Sequence, residues 1–139
     1  MEVKRYTFDE LSIGMSASFS VSWSKDDIES FAKLSGDYNP LHLDEIYAAT
    51  TPFKKIVVHG MLVASSLSQL VGMHLPGEAC LIISESVSFK EPVYCDEKLV
   101  VSGVVTQKSE ATKVVVIHVT IQKEDIVKAE GDITLLVRS

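Results

Sequence analysis

The chain has 139 residues and a formal net charge of −6, from 13 basic and 19 acidic side chains. That length suits one domain, over residues 1–139, with a substantial core, and no basic cluster exceeds Lys54-Lys55, which argues against nucleic-acid binding. The opening MEVKRYTFDE has no apolar segment to act as a leader, and Cys80 and Cys95 lack metal-ligand spacing, so we expect a cytoplasmic protein with free thiols and no bound metal.

Residues 1–14 read as a lead-in, with Tyr6, Phe8 and Leu11 as apolar anchors and a turn at Gly14. Met15 to Trp23 alternates apolar and Ser, which predicts a strand with one buried face. Ser24, followed by Asp26 and Asp27, predicts a capped helix start. Ile28, Phe31 and Ala32 supply that helix's buried stripe, and Ser35-Gly36 stops it. A second short helix is expected from about Leu43 to Ala49, closed by Thr50-Thr51-Pro52, with Asp44 and Glu45 complementing its dipole.

Between these helices lies Gly36-Asp37-Tyr38-Asn39-Pro40-Leu41-His42. On an ideal helix Asp37 and His42 would diverge by roughly 140°. Gly36 and the Asn39-Pro40 step instead predict a turn, which can fold a carboxylate and an imidazole towards one point. Turn composition alone accounts equally well for these residue types.

From Gly60 to Leu75 the chain is apolar on most of its circumference, which predicts a buried helix. It would be roughly 22 Å long, too short to span a bilayer, and Pro76-Gly77 ends it. Gly60 at its start leaves free N–H groups where a ligand can approach. A developing oxyanion would be stabilised there.

Strands follow. Residues 80–90 place Leu81, Ile83, Val87 and Phe89 on one face, with Glu85 anomalously among them, at a bulge, a polar pairing or an interface. Leu99 to Val105, Val115 to Ile121 and Val127 to Val137 each alternate, with a turn at Lys108 to Ala111 and His118 on the polar face. The sum is an α+β architecture: about five antiparallel strands wrapped around one central buried helix.

The run FAKLSGDYNPLH over 31–42, followed by Pro52-Phe53 and then IVVHGMLVAS from Ile56, resembles the hydratase-2 signature of the MaoC-like family, within it the short single-domain (R)-specific enoyl-CoA hydratases. FKEPVYCD from Phe89 also fits, with Cys95 where the family often has Gly. The resemblance implies a hot-dog fold, a homodimer and reversible hydration of trans-2-enoyl-CoA to (R)-3-hydroxyacyl-CoA without a separate cofactor. It implies that Asp37 and His42 hold the catalytic water and move both protons, while the Gly60 N–H stabilises the thioester oxygen. Asn39 and Ser68 are expected to support the pair. Val63, Leu67 and Val71 are expected to line the acyl pocket, and Lys54, Lys55, Lys90 and Arg138 to meet the phosphates of CoA or an acyl-carrier protein. His59 and His74 read as packing or capping residues. A 3-hydroxyacyl-carrier-protein dehydratase is the alternative. A thioesterase is disfavoured because residues 60–75 carry no acid, and a non-catalytic acyl-CoA-binding module would not need Asp37 and His42 in one turn.

Overall fold

The computed structural model describes residues 1–138. The elements run β1 (Ser16–Val21), α1 (Lys25–Ser35), α2 (Pro40–Leu43), α3 (Glu45–Thr50), α4 (Gly60–Gln69), a π-helical turn (Leu70–His74), then β2 (Cys80–Phe89), β3 (Leu99–Ser109), β4 (Val114–Lys123) and β5 (Ile126–Val137). The five strands form one antiparallel sheet in the order β1-β3-β4-β5-β2. This is the expected hot-dog arrangement, with α4 between β1 and β2 in sequence. Among the described residues no helix is long and apolar enough to cross a membrane.

Alternation dictates which face of the sheet meets the helix. On β3, β4 and β5 the odd-numbered residues from Leu99 to Val105, Val115 to Ile121 and Ile133 to Val137 point inward, and all but Gly103 are apolar and buried. Gly103 is small for a reason: a Cβ there would lie 2.7 Å from Leu70 Cδ2, so its absence lets the helix settle onto the sheet. Leu67 and Leu70 are fully enclosed at that contact. Truncating a leucine so enclosed typically costs about 2–5 kcal/mol.

Four expectations need correction. The central helix does not run evenly to Leu75, because a residue before proline is pushed out of the helical region. Leu75 is extended and its N–H donates to the Leu70 carbonyl at 2.9 Å, five residues back. Nor is α4 buried all round, since Met61 is 69% exposed. The second short helix is two helices hinged at Asp44, which ends α2 and caps α3. In β2 a register shift between Ile82 and Ser84 breaks the period, so Leu81 pairs with Leu136 while Glu85 pairs with Ile133 and stays exposed at this edge of the sheet. Leu81, Ile82, Ile83 and Phe89 remain solvent-exposed along this edge strand. Partial burial of Glu85 pushes its carboxyl up from the usual carboxylate range.

The loop after β2 is held by charge. Lys128, buried on β5, donates from Nζ to the Pro92 carbonyl at 2.9 Å and lies 3.5 Å from Glu97 Oε1. Lys123 Nζ donates to Glu97 Oε2 at 2.8 Å, and the Tyr94 N–H to Oε1 at 2.7 Å. The Lys90 and Glu91 N–H groups both donate to the Lys128 carbonyl. In the turn itself Asp96, not Cys95, takes the left-handed conformation, at φ 63°. Its N–H donates to the Trp23 carbonyl at 2.8 Å.

Burial alone would raise the Glu97 carboxyl, but the Lys123 and Tyr94 hydrogen bonds and the two lysine charges outweigh it and hold the group below its ordinary value. A carboxyl lowered on folding stabilises the protein above its unfolded value of about 4.3, and that contribution fades as pH falls through the lower folded value. Urea titrations should therefore show wild-type stability falling below about pH 4.3, and the Glu97→Gln variant losing less over the same interval. Lys128→Met should lower stability at pH 7 by about 1–3 kcal/mol, because the part-buried Pro92 carbonyl loses its donor and Glu97 loses one of its two lysines.

Candidate active site

Local chemistry builds the turn that carries the acid. α1 begins with a reciprocal capping box between Ser24 and Asp27 and ends at Gly36 in the left-handed conformation, φ 80°. That reversal sends the chain into Asp37. The Asp37 Oδ1 accepts from the Asn39 N–H at 3.1 Å, and the Asn39 Oδ1 accepts from the Leu41 N–H at 3.0 Å. Asn39 is thus the N-cap of α2, with Pro40 in the first-turn position where its missing N–H costs nothing. The expectation of a non-helical turn holds for 36–39, but His42 sits inside this single helical turn. Asn39 orients the turn and not the His42 ring.

His42 is fixed from behind. Its Nδ1 donates to the Val57 carbonyl at 2.6 Å, which leaves Nε2 as the free ring nitrogen. Nε2 lies 3.9 Å from Asp37 Oδ2. The two side chains are therefore aimed at each other, His42 largely covered and Asp37 about half exposed. Beneath His42 lies His59, 1% exposed and stacked on it with ring centroids 4.0 Å apart and planes 29° apart.

Gly60 begins α4 directly after His59. As the first helical residue its N–H has no intrahelical acceptor, and His59 makes no side-chain capping bond. The fold does not demand glycine here. Gly60 lacks a positive φ, and a Cβ would meet only the Phe89 ring at 3.5 Å, an ordinary contact. The space a methyl group would occupy instead opens on a cleft of about 310 Å³ lined by His42, Gly60, Val63, Phe89 and Val93, among others.

The remaining candidates fall in different places. Val63 lines the cleft, whereas Leu67 and Val71 are buried in the core behind it. Ser68 is exposed on α4, away from the cleft walls. Lys90 lines the cleft, while Lys54 and Lys55 border a separate surface hollow with Lys25 and Glu45. Arg138 lies at the far end of β5, where another hollow, of about 440 Å³, is occupied by an Arg5–Glu78 ion pair and an Arg138 bond to the Glu78 carbonyl. His74 stacks on Phe19, and His118 pairs with Asp132 on the outer face of the sheet.

Asp37, His42 and His59 bring one ligand atom each within 4.8 Å of one another, a spacing a metal ion could bridge. Two of the four imidazole nitrogens are already committed, His42 Nδ1 to the Val57 carbonyl and His59 Nε2 to the Asp37 carbonyl. The structure brings the expected Asp37, His42 and Gly60 to one place. Beside them stand Val57, whose contribution is a backbone carbonyl invisible in residue type, and Phe89, expected in a buried sheet face.

The MaoC-like domain profile matches residues 9–128 of the chain. The (R)-specific enoyl-CoA hydratase of Aeromonas caviae is 43% identical over 96 residues, 69% of this chain and 72% of that protein. The (R)-specific enoyl-CoA hydratase of Rhodospirillum rubrum is 37% identical over 130 residues, 94% of this chain and 90% of that one. Among solved structures, an unliganded R-hydratase from Pseudomonas aeruginosa superposes with a TM-score of 0.93 at 30% identity, covering 99% of this chain and 88% of that one.

Proposed function

The chain belongs to the MaoC-like domain family, and from that membership we propose that it is an (R)-specific enoyl-CoA hydratase, adding water reversibly to trans-2-enoyl-CoA to give (R)-3-hydroxyacyl-CoA. The observation that carries the reading is the 3.9 Å approach of His42 Nε2 to Asp37 Oδ2 beside the cleft into which Gly60 opens.

That separation is too long for a direct hydrogen bond. It suits two acceptors that take the two hydrogens of one water molecule. His42 Nε2 is the atom that exchanges a proton, because Nδ1 is committed to Val57. As the water oxygen bonds to C3, its O–H bond breaks and the proton passes to Nε2. The C2–C3 π electrons move onto the thioester oxygen, where the Gly60 N–H stabilises the charge. The enolate then collapses and C2 takes the proton from Nε2, on the face that received the oxygen. Asp37, an acceptor only while ionised, orients the water and stabilises the transient imidazolium. Both additions on one face make the reaction a syn addition, and the (R) product follows when the substrate presents to the water the face of C3 that yields it. Water, substrate and enzyme balance without a further cofactor; CoA or phosphopantetheine enters as part of the substrate.

Val63 and Phe89 form the apolar wall for the acyl chain, with Leu67 and Val71 behind it setting its depth. Asn39 supports the pair through the turn. Ser68, exposed on α4, supports the same helix from its outer face. Lys90, on the cleft wall, is the cation best placed for a substrate phosphate. We place the reaction in the cytoplasm, in keeping with two unpaired cysteines, Cys80 and Cys95.

The working unit we propose is a homodimer joined along β2. An exposed apolar edge strand is a pairing template unless it is covered, and β2 exposes Leu81, Ile82, Ile83 and Phe89.

Asp37→Asn and His42→Ala should each lower kcat for crotonyl-CoA by about 10²- to 10⁴-fold with the fold retained, since Asn keeps the cap on Asn39 and neither residue belongs to the apolar core. Loss of enoyl absorbance without thiol release identifies hydration; thiol release would mark a hydrolase and refute the assignment. Gly60→Pro should fold, because His59 at φ −52°, ψ 132° already suits a residue before proline and proline is favoured at a first helical position. It should nonetheless lose about 10²- to 10³-fold in kcat, and unchanged turnover would eliminate the backbone donor. Ile83→Lys should convert a species of twice the chain mass into one of the chain mass by sedimentation; a wild-type protein that sediments as a monomer would rule out the dimer.

A further inference from the structure

We propose that His59 is a positioning residue, whose one buried ring sets both the backbone of Asp37 and the ring plane of His42. The inference rests on the hydratase reading above and extends it to a residue outside the acid–base pair.

Three observations carry it. First, His59 Nε2 lies 3.0 Å from the Asp37 carbonyl oxygen. A carbonyl only accepts, so Nε2 carries the hydrogen and the ring is held in one tautomer. Second, the flat face of His59 supports His42 with ring centroids 4.0 Å apart, and the same ring meets Phe31 edge-to-face at 5.0 Å and 65°. The ring thus packs against both α1 and α2, and a tilt of it would disturb the stack with His42. Third, His59 Nδ1 is buried with no partner among the described residues. An orphaned buried polar atom costs free energy and calls for an explanation. Helix capping does not supply one, since His59 makes no capping bond to α4. An apolar ring would fill the same space without the orphaned atom, so the function of the imidazole lies at its other nitrogen.

The turn needs this anchor. Residues 36–39 are exposed. The Gly36 N–H donates to Ala32, the Asp37 N–H to Ser35, and the Asn39 N–H to Asp37 itself. Every such bond is local. The bond from His59, 22 residues away, is the one long-range hydrogen bond to this turn among the described residues. Because Gly60 follows His59 directly, one residue spaces all three reacting groups: the carboxylate through its backbone, the imidazole through its ring, and the N–H through the chain.

Two substitutions separate the contacts. His59→Phe keeps the stack and removes the Nε2–H donor; His59→Gln keeps an N–H near that position and removes the stack. Each should lower kcat for crotonyl-CoA at least tenfold with KM changed less than threefold, because the cleft walls remain and only the geometry of proton transfer is altered. Turnover within twofold of wild type in either variant overturns the double role. A fall in kcat matched by an equal loss of folded protein overturns it as well. An NMR measurement of histidine tautomers in the wild-type protein without substrate is independent of activity and decides the matter if a variant fails to fold. The Nε2–H form at His59 supports the assignment, and the Nδ1–H form overturns it. Failure of wild-type protein to hydrate crotonyl-CoA would refute the hydratase reading and leave the tautomer result standing.

Discussion

The extended stretch from Ile56 to His59 is the constraint on which the rest of the molecule depends. It exchanges bonds with α2 on one side and donates to the loop after β2 on the other. The Val57 carbonyl takes the His42 Nδ1–H, and the Val57 N–H reaches back to the Leu41 carbonyl at 3.3 Å. The Val58 N–H donates to the Val93 carbonyl at 2.8 Å, and Val57 bridges to Tyr94. The helical layer, the loop after β2 and the start of α4 therefore meet in four residues. Behind that loop stand Lys128 and Glu97, so β5 fixes the height at which His42 presents its ring. The proposed pair, which catalysis would require within a tolerance of about 0.5 Å, depends on such a chain of short bonds, because its own turn is exposed and held mainly by local contacts.

Much of this was legible in residue order, and for identifiable reasons. β3, β4 and β5 lie in the interior of the sheet with one face on the helix, so period-two alternation and burial coincide. The capping box at Ser24 and the stop at Gly36 are local chemistry and needed no tertiary information. Asp37 and Gly60 stood out through the resemblance of GDYNPLH and HGM to the MaoC-like signature, since composition alone left Asp37 an ordinary turn residue. What stayed hidden was set by partners remote in sequence. The register shift in β2 depends on its neighbour β5, and the widened turn after Gln69 depends on what Leu75 must do before Pro76. α2 escaped notice although Asn39-Pro40 is a good start signal, because the same two residues also read as a turn. His59 looked like packing since its bonds reach a backbone carbonyl and another ring, neither of which residue type reveals.

The edge strand shows the limit of inferring burial from apolarity. An apolar run says that water will be excluded somewhere, not by which surface. For α4 the sheet does the covering, and for β2 this chain supplies no cover for four large side chains. The chemistry of Glu85 belongs to the same problem. It stands exposed on this edge opposite Ile133, only partly desolvated and without a cationic partner among the described residues. A second chain laid along β2 would either provide a hydrogen-bond donor there or raise the carboxyl further, so the protonation of Glu85 and the closure of this edge are linked quantities.

Placing the acid–base pair at the junction of layers, and not inside the apolar core, follows from the cost of charge. Moving an ionised carboxylate into the fully enclosed region around Leu67 would cost several kcal/mol unless it were paired. Asp37 remains about half exposed, while His42 is largely covered. The apolar helix contributes only its first N–H, a group that carries partial charge without any desolvation of an ion. The arrangement thus leaves the carboxylate at the surface, covers the imidazole, and opens the first N–H of the apolar helix on the cleft. Of the three, the imidazole has the least freedom to be moved, since it alone is held by a backbone bond, a stacked ring and a short helix at once.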